Sequence, residues 1–187
     1  MQEKENILRI LEETKQAIKN DDAIKIKELS NQTVHTASIT QDPDNIAFAV
    51  VVYSLSKIIE RKNYQNFPGW KDFYKNILTF IDNSINAIKI NDDKKIKDSL
   101  TSIQKTISKL SGTLKNYIQD VFRKAQINKA SKIYEHGISM EKTASLLGIT
   151  MFELASYAGQ SPEISNAPLS ITLDVKSRIK LGEDMFK

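Results

Sequence analysis

With 187 residues, 40% of them apolar and 27% charged, the chain can bury one substantial core, as a single domain or as a bundle with an appendage. Six glycines and four prolines leave too few turns for an all-β fold, and the absence of cysteine excludes disulfides and thiolate metal sites. The net charge of +4 is mild but unevenly placed: residues 1–93 carry 12 basic and 14 acidic side chains, whereas residues 94–142 carry 11 and 4. A basic block of this kind suits either phosphate contact or a solvated lysine-rich face.

The N-terminus, MQEKENILRILEE, mixes charges and lacks the apolar run of a signal peptide, and the run Ile46 to Tyr53 is too short to span a bilayer. The expectation is a cytoplasmic protein with no membrane contact. Ile7, Leu8, Leu11, Ala17 and Ile18 recur at helical spacing up to a break at Asn20-Asp21-Asp22. A second helix follows, with Ile24, Ile26, Leu29, Val34 and Ala37 expected inside. Asp42-Pro43 then starts a third, because Asp42 can cap and proline fits the first turn. Its sequence, IAFAVVVYSLSKII, is apolar on nearly every side, which predicts a buried central helix.

Lys62 to Gly69 reads as a loop. Trp70, Phe73, Ile77, Phe80, Ile81, Ile85 and Ile88 trace one face of a fourth helix, which ends at Asn91-Asp92-Asp93. The stretches AIKNDDAIKIKEL (17–29) and AIKINDDKKIKDSL (87–100) echo one another, either as two similar helical hairpins or by chance in a sequence rich in Ile, Lys, Asn and Asp. A fifth helical segment is expected to bend or break at Ser111-Gly112. Beyond it Leu114, Tyr117, Ile118, Val121, Phe122 and Ala125 form an amphipathic stripe, with the helix running to Tyr134 and closing at His136-Gly137.

Gly137 to Gly159 reads as a helix-turn-helix. Ala144 allows close crossing of two short helices, Gly148 supplies the turn, Ile149 plugs the gap and Thr150 caps a second helix, MFELASYA. In the recognition position this helix presents Met151, Glu153, Ser156 and Tyr157 but no Lys or Arg, so bidentate reading of guanine has no donor there. Glu153 could accept from cytosine, Ser156 or Tyr157 could reach phosphate, and Thr150 stands with them as a candidate nucleic-acid-binding residue. Arg123, Lys124, Lys129, Lys132 and Lys142 would supply the affinity. A helix-turn-helix used only for packing or protein contact is the alternative. Past Gly159, QSPEISNAPLSITL reads as an extended arm, and Asp174 to Phe186 as a final helix.

No metal site is expected from two histidines, His35 and His136, and no cofactor motif is present: GxxxxGK[ST], GxGxxG and GxSxG are all missing. The adjacent acids Asp21-Asp22 and Asp92-Asp93 suit turns and caps, not a catalytic dyad. Phe67, Trp70, Phe73 and Tyr74 suit core packing better than a base-stacking platform.

The segment IYEHGISMEKTASLLGITMFELASYAGQ resembles the helix-turn-helix of small archaeal and bacterial antitoxin-like proteins, through Ala144, Gly148 and the surrounding hydrophobic frame. The resemblance implies a module that binds DNA, or a toxin nuclease through an adjoining arm. The stretch ELSNQTVHTASITQDPDNIAFAVVVYSLSKIIER is similar in style to uncharacterised archaeal helical proteins carrying such a motif. The expectation is thus all-α: a helical bundle over 1–112, then a basic connecting helix, helix-turn-helix and C-terminal arm and helix over 113–187. The expected function is a non-enzymatic nucleic-acid-binding regulator, antitoxin-like, with basic helices on the phosphates of DNA or structured RNA and a homodimer as a compatible state. The alternative is a protein-interaction or ribosome-associated, RNA-contacting factor.

Overall fold

The computed structural model describes residues 3–135 and 137–158, leaving aside the side chains of 34–39, 104, 157 and 158. The expected arm over 160–173, the final helix, His136 and the side chains of His35 and Tyr157 lie outside the described residues. Every regular element within them is helical: α1 (Lys4–Lys19), α2 (Ala23–Thr40), α3 (Pro43–Glu60), a short 3-10 helix (Lys62–Asn66), α4 (Trp70–Lys89), α5 (Asp93–Lys109), α6 (Gly112–Glu135), α7 (Met140–Leu147) and α8 (Met151–Ala158).

The helix α3 is the axis of the molecule. Asp42 caps it, its Oδ1 accepting from the backbone N–H groups of Asp44 at 2.9 Å and Asn45 at 3.4 Å, with Pro43 in the first turn where no N–H is needed. Phe48, Val51, Val52, Leu55 and Ile58 face a large core shared with α1, α4, α5 and the first half of α6, while Ile46 and Val50 face a second, smaller core. Two opposed burial demands explain why its sequence is apolar almost all round.

The sequence echo is a structural repeat. Chain reversal between α1 and α2 and between α4 and α5 uses the same hydrogen bonds: Asp22 N–H to Ala17 O at 2.9 Å and Asp92 N–H to Ala87 O at 3.0 Å, with Asp21 N–H to Ile18 O and Asn91 N–H to Ile88 O inside them. Asp21 (φ 58°) and Asn91 (φ 54°) take the left-handed conformation, which short polar side chains tolerate. The following aspartates then cap the next helices, on Lys25 N–H at 2.9 Å and Lys95 N–H at 3.0 Å. Buried positions correspond along the hairpins: Ile10 with Phe80, Leu11 with Ile81, Ala17 with Ala87, Ile26 with Ile96. Even a buried hydroxyl recurs, as Thr14 and Ser84, and Ser84 Oγ lies 2.9 Å from both Phe80 O and Ser99 Oγ.

All seven residues expected on the inner face of α4 are buried. Ile24 is not inside as expected but 75% exposed. Among the described side chains of α2 the buried ones are Ile26, Leu29, Ser30 and Thr33, and Ile24 stands about 200° round the helix from Ile26. The stretch expected as a loop before α4 contains the 3-10 helix, pinned by Tyr64, whose ring stacks on Tyr117 at 5.4 Å. Trp70 and Phe73 are buried against each other, ring centroids 5.8 Å apart, so they present no open stacking face. The break near Ser111 separates α5 from α6. α6 serves both cores, with Leu114, Ile118 and Val121 in the first and Ala125, Ala130 and Ile133 in the second.

Candidate nucleic-acid interface

The unit α6–α8 is built around the second core. Ala144 and Leu147 of α7, Ile149 of the turn and Leu154 of α8 pack on Ala125, Ala130 and Ile133 of α6 and on Ile46 and Val50 of α3. Ser139 caps α7, its Oγ accepting from Lys142 N–H at 3.2 Å. At the other end Ile149 N–H reaches Ala144 O at 3.1 Å around Gly148, whose φ of 64° suits glycine. Only Ile149 and Thr150 then separate Gly148 from α8. Thr150 and Glu153 close a reciprocal capping box: Thr150 N–H and hydroxyl donate to Glu153 Oε2 at 2.9 and 2.8 Å, and Glu153 N–H donates to Thr150 Oγ1 at 3.1 Å.

Glu153 also pairs with Arg123 of α6. The Thr150 backbone and hydroxyl donors, followed by Arg123, hold its carboxyl at about 2. Glu153 is therefore an ionised anchor of α8 onto α6, and Arg123 is half of that anchor. Of the other cations expected to meet phosphate, Lys124 pairs with Asp120 at 2.9 Å and Lys132 with Glu135 at 3.3 Å. Lys142 is exposed and in no ion pair among the described residues.

Lys129 is not on the surface. Its relative exposure is 0%, and its Nζ lies 4.4 Å from the centre of the Tyr53 ring and 3.4 Å from Asn31 Oδ1. Burial, helped by the positive charges of Lys132 and Lys27, lowers its pKa from 10.5 to about 7. A phosphate contact through Lys129 is thus corrected to a core position. The signal lay in the sequence: Lys129 is four residues after Ala125 and four before Ile133, on the inner stripe of α6.

The outer face of α8 carries Ser156, Met151 (53% exposed) and Phe152 (80% exposed). Phe152 went unnoticed in the sequence because only Leu154 fixes which side of this short helix is inside. An exposed phenylalanine beside an exposed methionine is an apolar contact surface, suited to a thymine methyl or to a protein. A groove of about 220 Å³ runs between α3, α5, α6 and α7, with Leu100, Thr101 and Ile107 on one bank and Leu146 and Leu147 on another.

Among the described residues no cluster of three or more His, Cys, Asp or Glu side chains could hold a metal ion, and no helix is long and apolar enough to cross a membrane. No protein-family model matches the chain, nor does any curated protein or solved structure.

Proposed function

We propose that the protein is a non-enzymatic, nucleic-acid-binding regulator, antitoxin-like and cytoplasmic, in which α6–α8 form a helix-turn-helix and α8 is the recognition helix. The observation that carries this reading is the pairing of a tight Gly148-Ile149-Thr150 turn with a capped α8 whose outer face leaves Phe152 80% exposed. A helix held by Leu154, the capping box and the Glu153–Arg123 pair, with Met151, Phe152 and Ser156 exposed, is arranged to enter a groove. Base contact falls to Met151, Phe152 and Ser156, Thr150 lies near phosphate, and Lys124 and Lys142 flank them. A homodimer on a palindrome suits this geometry.

Selection of bound sequences from a random duplex pool tests the proposal. A recovered consensus, lost in the double variant Phe152→Ser, Ser156→Ala, is the expected outcome. Recovery of random sequence only would refute specific reading.

One observation favours a second reading, a protein-interaction or RNA-contacting factor in which the unit is a packing module. The exposed tip of α8 is apolar, and three of the cations near it are tied in ion pairs. Cosedimentation of the protein with ribosomes, together with an empty duplex selection, would favour that reading.

A further inference from the structure

The exposed charge of this molecule is concentrated away from α6–α8. Residues 112–158 hold six basic and four acidic side chains, and of the six, Lys129 is buried and Arg123, Lys124 and Lys132 are paired. Residues 94–109 hold five lysines and a single acid, Asp98. Lys94, Lys97, Lys105 and Lys109 are all exposed and form no ion pair among the described residues. At 100° per residue these four fall within about 120° of the α5 circumference, on the side opposite the buried Ile96, Ile103 and Ile107. Asp98 shares that face. Asp93, at the start of the helix, is held by Lys4 at 2.9 Å.

Between the lysines stand Thr101 and Ser108, whose hydroxyls turn back onto the helix, to Lys97 O at 3.0 Å and Lys105 O at 2.9 Å. The outward chemistry of the stripe is therefore ammonium. Lys75 of α4 joins it at one end, since Lys75 and Lys109 line the same open cleft between α4 and α5. The stripe also borders the proposed reading unit: Thr101 stands on one bank of the groove that has Leu146 and Leu147 of α7 on another.

We infer that the exposed face of α5 is the main phosphate-binding surface of the protein, lying along the sugar-phosphate backbone of duplex DNA engaged by α8. From Lys94 to Lys109 the helix rises about 22 Å, the length of six or seven nucleotides of one strand at about 3.4 Å each. Lysines are flexible point charges without the planar fork that reads bases, so this surface holds the duplex and sets its register without selecting its sequence. That division of labour accounts for a recognition helix with no cation of its own.

The inference rests on the duplex-binding reading of α6–α8, and one titration separates their failures. The intact chain is titrated against a labelled random-sequence 30-base-pair DNA, by fluorescence anisotropy, from about 50 to 200 mM KCl. It is compared with K97Q/K105Q/K109Q and with K124Q/K132Q/K142Q, and unchanged helical circular dichroism shows that both variants are folded. The α5 variant should bind at least tenfold more weakly at 150 mM, and its slope of log K against log salt should shrink by about 2.7, three phosphate contacts at 0.9 each. The α6–α7 variant should lose less affinity and less slope than the α5 variant, because Lys124 and Lys132 are already held in ion pairs. If the wild type binds and the α5 variant matches it in affinity and slope, the inference is overturned while the proposed function stands. If the wild type binds no duplex, both fall.

Discussion

Replacing Lys129 with methionine should stabilise the protein, and by an amount that depends on pH. The ammonium is wholly buried, and its folded pKa is about 7 against 10.5 for a free lysine. Desolvation is the largest cause of the fall, and the positive charges of Lys132 and Lys27 add to it, while Tyr53 and Asn31 face the ammonium. Between pH 7 and 10.5 the unfolded chain binds more protons at this site than the folded one. Stability therefore rises with pH across that window, and the penalty is complete only below about 7. At about 1.36 kcal/mol per pKa unit, the full penalty is about 5 kcal/mol. Nearly all of it is present at pH 6, and about 2 kcal/mol remains at pH 9. Methionine fills a similar volume without a charge, and Asn31 is exposed and can turn to water. Urea unfolding at pH 6 and 9 provides the test. The wild type should gain about 3 kcal/mol more than Lys129→Met on going from pH 6 to 9, and the variant should be the more stable at pH 6. Parallel pH profiles for the two proteins would refute the argument, because they would mean that Lys129 has the same pKa folded and unfolded.

Thr150→Ala removes the cap of α8 and should cost about 1 kcal/mol, a fall of about 2–4 °C in Tm, measured by calorimetry. Gly148→Ala meets no atom within 4 Å of the added Cβ, so its cost should be the left-handed backbone alone, about 1–2 kcal/mol, and Gly148→Asn should recover part of it. Because Asp22 and Asp92 hold equivalent caps, Asp22→Ala and Asp92→Ala should lower Tm by similar amounts, and a large inequality would count against the equivalence of the hairpins. Lowering the pH from 4.5 toward 2 should selectively loosen α8, because Glu153 then loses its bonds to Thr150 and Arg123; amide exchange of residues 150–156 reports it.

The local chemistry was legible in the residues themselves. Asp42-Pro43 starts α3, the two Asn/Asp turns reverse the chain alike, and the apolar period of α4 places its whole inner face, because caps, turns and helical periodicity depend on near neighbours alone. The reversal at Gly148 and the cap at Thr150 belong to the same class, and so does the concentration of lysine after residue 94. What those cations face was decided by packing. Arg123 meets Glu153 because α8 folds back on α6, thirty residues away in sequence. Lys129 is buried because α6 crosses α3 beside Tyr53. The lysines of α5 remain at the surface because its other side is consumed by the core. A side chain's type fixes what it can bind, but whether it is spent inside the protein or left for a partner depends on contacts between distant helices, which no short window of sequence contains.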